Sequence, residues 1–157
     1  MQPRVRIGLI VGVIGLVSNI CVSGFLGFCG PLLSLIAGGA AGYFAVQQER
    51  PAAKSDGARV GATAGGIAGG LIILGQMLGG VGALFFMQSS GMESPFGQVP
   101  PPTGDPTTQI AYYAAGLGTA FCFGAIGALL AAGAGAGAGY LGTSDQPVAP
   151  PPQNIMS

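Results

Sequence analysis

Four long apolar runs, separated by short polar segments, make up most of this chain. A helix needs about 20 mainly apolar residues to cross a hydrocarbon core of roughly 30 Å. The first charge-free stretch, residues 7–47, is too long for one crossing, and Gly30-Pro31 lies near its middle. Since proline cannot continue a helix, we divide this stretch into two antiparallel helices joined by a tight turn. The predicted membrane-spanning helices are 7–28, 31–47, 60–88 and 109–142.

The remaining segments are polar and fall outside the predicted spans. They are an N-terminal segment at 1–6, a charged loop at 48–59, a proline-rich loop at 89–108 and a proline-rich tail at 143–157. Neither proline-rich segment has the apolar content to fold alone, and neither can enter lipid with unpaired backbone groups. Both are either flexible and solvated or docked along the extramembrane surface of a partner.

The basic residues indicate an orientation. All five, Arg4, Arg6, Arg50, Lys54 and Arg59, fall in the N-terminal segment or the charged loop. The positive-inside rule then predicts that both termini and the charged loop lie in the cytoplasm. A cleaved signal peptide is the alternative for the first run, but the apolar stretch continues and no Ala-x-Ala site follows, which favours an uncleaved helix.

Glycine recurs at helical spacing within the spans. Glycines four residues apart form a groove on a helix, and in lipid it is close backbone approach that holds helices together. We therefore predict an all-α integral membrane protein of four transmembrane helices, arranged as two hairpins and packed through glycine. Each groove is filled by another helix of the same bundle, by another subunit, or by a lipid or pigment. The predicted packing positions are Gly8, Gly12, Gly38, Gly42, Gly61, Gly65, Gly69, Gly75 and Gly79.

The two halves of the chain resemble each other. The second and fourth spans end in similar glycine- and alanine-rich segments, 37–43 and 134–140, and Arg6-Ile7-Gly8 parallels Arg59-Val60-Gly61. A duplicated hairpin would give a parallel internal repeat about an axis along the membrane normal. In a chain with 31 glycines, the same similarity also arises by chance.

Composition narrows the classes of function. Charged residues are 6% of the chain, against about 25% in soluble domains, and the mean hydropathy is +0.63. With zero net charge and five scattered basic residues, we expect no nucleic-acid binding. The chain has no histidine, and every Asp and Glu lies outside the predicted spans. We therefore expect no catalytic residues, no metal site, no cofactor and no enzymatic activity.

A few polar residues lie within the apolar runs. They include Asn19, Gln76 and Thr119. Asn19 and Gln76 are costly in hydrocarbon unless they are hydrogen-bonded. All three are predicted either to bond between helices or to line a narrow pore. The three cysteines, Cys21, Cys29 and Cys122, lie in the spans or at their ends and act as small apolar residues.

Two resemblances bear on function. Two hairpins in about this length, with glycines alternating at Gly133, Gly135, Gly137 and Gly139, resemble the proteolipid ring subunits of rotary ATPases. Those subunits carry their ion on a carboxylate within the membrane, and the predicted spans here contain none. This resemblance implies similar packing without ion transport.

The second resemblance covers the second and third predicted spans. Gly30-Pro31-Leu32-Leu33, Ala41-Gly42-Tyr43 and the segment 56–61 are similar to small glycine-rich multi-pass membrane proteins of archaea and bacteria. That family is known only as a domain of unknown function, so it implies a membrane fold and no activity.

Two hypotheses for function follow. In the first, the chain is a structural or accessory subunit that packs beside other membrane subunits or copies of itself through its glycine faces. In the second, it is a small oligomeric channel or transporter for an uncharged solute. The lipid bilayer is a partner in both, and the short chain without eukaryotic sorting signals favours a prokaryotic inner membrane.

Overall fold

The computed structural model describes residues 2–23, 30–91, 100 and 104–144, and within them all regular structure is helical. The predicted all-α class is therefore confirmed for these residues. The turn between the first two helices, most of the proline-rich loop and the tail from residue 145 lie outside the described residues. The helices are α1 (Pro3–Ser23), α2 (Gly30–Glu49), α3 (Lys54–Ser90) and α4 (Pro106–Gly142).

The helices extend beyond the predicted spans at the ends that carry polar residues. α3 begins at Lys54, six residues before the predicted span, so much of the predicted charged loop is helical. Nothing in that segment breaks a helix after Pro51, and the Asp56 carboxylate in the first turn is favourable at a helix N-terminus. Outside lipid, water satisfies the exposed backbone groups, so the end of the apolar run does not end the helix.

Among the described residues, five pairs of helices are in contact. In cross-section, four of these pairs form the sides of the bundle, and the fifth pair lies across its diagonal. α1 contacts α2 and α3, α4 contacts α2 and α3, and α2 also contacts α3. Among the described residues α1 does not contact α4. The four helices therefore form a rhombus in cross-section, with α2 and α3 on its short diagonal.

Within the described part of the chain, three helices are long and apolar enough to cross a membrane: α1 over Pro3–Ile20, and α3 and α4 over their whole length. α2 is not among these three, and its last turn contains Gln47, Gln48 and Glu49. α3 and α4 have 37 residues each, or about 55 Å at 1.5 Å per residue. They therefore exceed a 30 Å hydrocarbon core and must tilt or project from it.

Small residues fill the interior, and large apolar residues cover the outside. Ala41, Ala45, Ala64, Ala68 and Ala131 are fully or almost fully buried. The exposed residues include Phe85, Phe86, Ile110, Leu129 and Leu141. This distribution is the one expected of a bundle whose solvent is lipid, where an apolar exterior is favourable and close approach of backbones supplies the cohesion. The chain is a membrane protein by this criterion.

The helix contacts do not match a two-fold repeat. A two-fold axis that exchanged α1 with α3 and α2 with α4 would make the α1–α4 and α2–α3 contacts equivalent. Only the α2–α3 contact is present among the described residues. α1 also packs directly beside α3, and α2 beside α4. The second hairpin is therefore related to the first by a sideways shift and not by a rotation about a shared axis.

Candidate helix-packing and polar sites

The interface between α3 and α4 is built from glycines one turn apart. Gly57, Gly61, Gly65 and Gly69 face α4, and all four are buried. A β-carbon built on Gly65 would lie 2.5 Å from the carbonyl oxygen of Ala131, and one built on Gly69 would lie 2.8 Å from the Cα of Ala128. At these separations there is no room for any side chain. The two helices run antiparallel, since Gly57 meets Gly139 while Leu84 meets Gly116.

Gly135 lies where three helix backbones meet. A β-carbon at this position would collide with the carbonyl oxygen of Gly61 and would lie 3.1 Å from both the carbonyl oxygen of Gly38 and the Cα of Gly65. From α2, Gly38 faces Ala131 and Gly42 faces Gly135, again against backbone atoms. Gly135 was not among the predicted packing positions, yet it contacts more of them than any other residue of α4.

α1 also packs on α3 through glycines. A β-carbon on Gly8 would lie 2.8 Å from the carbonyl oxygen of Ala64, and one on Gly12 would lie 3.0 Å from the Cα of Ala68. Further along, Gly75 of α3 faces the carbonyl oxygen of Leu16 at 3.0 Å. Residue numbers rise together along the two helices, so α1 and α3 are parallel. Gly79, the last predicted packing position, is also buried in α3.

A second set of glycines faces outward. Gly66 and Gly70 on α3, and Gly133 and Gly137 on α4, are each four residues apart. A β-carbon on any of them would meet nothing within 4 Å. Each pair therefore leaves a shallow groove on the surface of the bundle that no described residue of this chain fills.

The predicted polar residues do not point at one another. The Asn19 side-chain amide donates to the carbonyl oxygen of Ile72 at 3.4 Å. Gln76 faces α4, where a β-carbon on Gly124 would lie 2.9 Å from its Oε1. The Thr119 hydroxyl donates to the carbonyl oxygen of Ala115 in its own helix at 2.9 Å. The geometry therefore places these three polar groups against three different partners.

Ser34 belongs to the same level of the bundle and was missed by the sequence analysis. It is fully buried, and its hydroxyl lies 2.8 Å from a β-carbon built on Gly127. Together with Asn19 and Gln76 it forms a buried polar layer contributed by three helices. A single serine in an apolar run carries little signal, because serine is common in membrane helices as a small packing residue.

The Oε1 atom of Gln76 is buried and has no hydrogen-bond partner among the described residues. An unsatisfied buried oxygen costs about 1–3 kcal/mol. We expect Gln76→Leu, which keeps the volume and removes the polar atoms, to raise the free energy of unfolding in detergent by about 1 kcal/mol. Asn19→Leu removes a made hydrogen bond and should lower it slightly. A loss of stability in Gln76→Leu would show that the amide is satisfied in the membrane.

A polar cluster joins α3 and α4 at the end away from the basic residues. The Tyr113 hydroxyl donates to Gln88 Oε1 at 2.6 Å. The Gln88 amide in turn donates to the carbonyl oxygen of Pro100 at 3.0 Å and to Gln109 Oε1 at 3.2 Å. Pro100 of the proline-rich loop is thus tied to the bundle of its own chain.

The basic residues lie together at the opposite end, where α1 and α3 begin and α2 and α4 finish. Glu49 accepts a hydrogen bond at 2.9 Å from the backbone N–H of Arg4 in the first turn of α1, and its Oε1 lies 3.9 Å from Arg4 Nε. This carboxylate satisfies a donor of the helix N-terminus and complements the helix dipole there. The Lys54 ammonium lies 5.7 Å from the centre of the Tyr140 ring, within reach of a cation–π interaction.

Comparison with known proteins adds no family to this picture. No protein-family model matches the chain, and neither a curated protein nor a solved structure matches it. The resemblance to glycine-rich membrane proteins of unknown function therefore stays a prediction, and the functional argument depends on the geometry.

Proposed function

We propose that this chain is a non-enzymatic structural or accessory subunit of a membrane assembly. The observation that supports this proposal is the division of its glycines into two sets. The predicted packing glycines whose surroundings are described meet other helices of the same chain. The outward pairs Gly66/Gly70 and Gly133/Gly137 meet nothing. Glycine is unfavourable in a helix interior, and a groove that admits a neighbouring helix gives these outward glycines a use.

The occupant of those grooves is another membrane subunit or a second copy of this chain. A helix lying across a glycine pair gains dispersion contact with the exposed backbone, which flexible lipid chains provide less well. The inner glycines already show this geometry. A β-carbon built on Gly61 would collide with the carbonyl oxygen of Gly135, and one built on Gly135 would collide with that of Gly61, so the two backbones are in direct contact.

The alternative, a small oligomeric channel for an uncharged solute, has weaker support. A pore within one chain needs polar groups that converge on a passage. Asn19 instead donates to a carbonyl oxygen of α3, Gln76 lies against Gly124 of α4, and Thr119 bonds within its own helix. A pore between copies would need polar groups on the outside. The described outward faces of α3 and α4 carry mainly glycine, alanine and large apolar residues along their central turns.

One experiment separates the two functions. The chain is purified from its native membrane in mild detergent, co-purifying proteins are identified by mass spectrometry, and the purified chain is tested for solute flux in liposomes. Stoichiometric recovery of a second membrane protein or of a homo-oligomer, without flux, supports the subunit. Flux of an uncharged solute by the chain alone would reject it in favour of the channel.

We also propose four crossings with both termini in the cytoplasm, in a prokaryotic inner membrane. α1 and α3 are parallel neighbours, so a chain that crosses in both must return through α2. The positive-inside rule assigns the basic end to the cytoplasm.

Cysteine labelling tests this orientation in a variant without native cysteines. We expect a cysteine at Ser90 to react with an impermeant reagent added outside the cell, because Ser90 is exposed at the end away from the basic residues. A cysteine at Ser55, exposed at the basic end, should react only after the membrane is opened. The reverse pattern would invert the proposed orientation.

A further inference from the structure

A cavity opens at the basic end of the bundle, between the ends of α2 and α4. Its volume is about 160 Å³, and its lining includes Gln47, Arg50, Gly142, Thr143 and Ser144. One water molecule needs roughly 10–15 Å³ of such space. The cavity therefore accepts a polar group of several non-hydrogen atoms.

Arg50 supplies a positive charge to this cavity. It adopts a left-handed backbone conformation with φ of 46°, and its N–H donates to the carbonyl oxygen of Val46 at 2.8 Å, which closes the end of α2. The neighbouring carboxylate, Glu49, is engaged with Arg4. Arg50 is an exposed residue, and its guanidinium forms no ion pair among the described residues. A guanidinium binds phosphate oxygens through paired N–H donors.

The same cavity also has a negative side. α2 ends at Glu49 and α4 ends at Gly142, so two helix C-termini border it. The last four carbonyl groups of a helix lack partners within the helix, and this end carries a partial negative charge. One of these carbonyls, on Gly139, accepts from the Thr143 hydroxyl at 2.8 Å. The cavity thus combines a guanidinium with carbonyl groups that attract a cation.

We propose that this cavity binds the headgroup of phosphatidylethanolamine. The headgroup carries a phosphate for Arg50 and, two carbons away, an ammonium whose N–H groups match the carbonyl ends of α2 and α4. Phosphatidylcholine has no N–H to donate, and phosphatidylglycerol has no cation. A lipid fits better than a free solute because apolar surface adjoins the cavity on its membrane side. The Tyr43 ring lies against Gly142 and is half exposed, and Leu141 is almost fully exposed.

The test measures lipid retention by the full chain in detergent, by native mass spectrometry. Phosphatidylethanolamine, phosphatidylcholine and phosphatidylglycerol with identical acyl chains are added separately. We expect phosphatidylethanolamine to bind about tenfold more tightly than the other two, a difference of about 1.4 kcal/mol. Arg50→Gln removes the phosphate contact and should therefore weaken retention of phosphatidylethanolamine and phosphatidylcholine alike, by about tenfold. Arg59→Gln, which removes the same charge at the same end of the bundle, should not.

Several outcomes would overturn the proposal. Equal retention of phosphatidylethanolamine and phosphatidylcholine by the parent chain would do so without any variant, so the test does not depend on how Arg50→Gln folds. Preferential retention of phosphatidylglycerol, reduced equally by both arginine variants, would indicate general attraction of anionic lipid to the basic end. If free phosphoethanolamine competes at the affinity of the lipid itself, the occupant is a soluble solute and the assignment to lipid is wrong.

Discussion

Gly135→Ala is expected to lower the free energy of unfolding of the bundle by about 1–3 kcal/mol, the usual cost of forcing an extra methyl group into a close-packed interior. The added β-carbon would collide with the carbonyl oxygen of Gly61 and lie 3.1 Å from that of Gly38. Both neighbours are backbone atoms of other helices, so no side chain can rotate away. Relief requires α2 or α3 to move, and either movement opens the contacts at Gly42 or Gly65 as well.

The same helix provides matched controls. Gly133 and Gly137 each lie two residues from Gly135, and a β-carbon at either position meets nothing within 4 Å. Because alanine is favoured over glycine in a helix by about 1 kcal/mol, Gly133→Ala and Gly137→Ala should be neutral or slightly stabilising. Unfolding of the purified variants in mixed detergent micelles, followed by circular dichroism, measures all three. If Gly135→Ala is as stable as Gly133→Ala, the three-helix junction at Gly135 does not exist in the membrane.

The alternating glycines of α4 show which part of the packing the sequence can predict and which part it cannot. Gly133 and Gly137 are four residues apart, and so are Gly135 and Gly139, so helical spacing defines two opposite stripes of equal quality. Nothing in the pattern says which stripe faces the other helices. In a soluble helix, polar residues on the outer face would decide the question. Here the outer face is apolar too, so the choice depends on which backbone lies opposite.

The stripe on α3 was more predictable because it is longer. Gly61, Gly65 and Gly69 repeat three times in one register, and the interpretation as a groove needed no knowledge of the partner. Its continuation at Gly57 was missed because that residue lies among charges, where the apolar run had already ended. Glycine packing continues there because helix contact does not depend on lipid, and Gly57 still faces Gly139.

The polar sites were harder to predict than the packing sites. Residue type alone marked Asn19 and Gln76 as costly in hydrocarbon. Whether they share a passage depends on helix rotation, which a single sequence does not reveal. The sequence pattern could not predict the cavity beside Arg50 either. It forms because the ends of α2 and α4, about 90 residues apart in the chain, finish at the same level.

If the chain is a subunit as proposed, filling the outward glycine groove on α3 should abolish its association with a neighbour. Gly66→Leu combined with Gly70→Leu fills the groove where this chain places nothing within 4 Å. The bundle itself should fold as before, because the new side chains project away from α1, α2 and α4. Association with the co-purifying subunit or second copy should be lost, since two leucines hold an incoming helix away from the exposed backbone.

The control for this pair is another outward glycine that is not part of a groove. Gly82→Leu adds the same bulk at a position with nothing within 4 Å, and its neighbours one turn away are Leu78 and Phe86, so no groove exists there to fill. We expect it to leave association intact, as judged by co-purification and by the mass of the complex in detergent.

The equivalent double substitution at Gly133 and Gly137 tests the groove on α4 separately. If neither double variant weakens association while both fold, the outward glycines hold no neighbour and contact must occur through another surface. Loss through one pair only would identify the face of the bundle on which the partner packs.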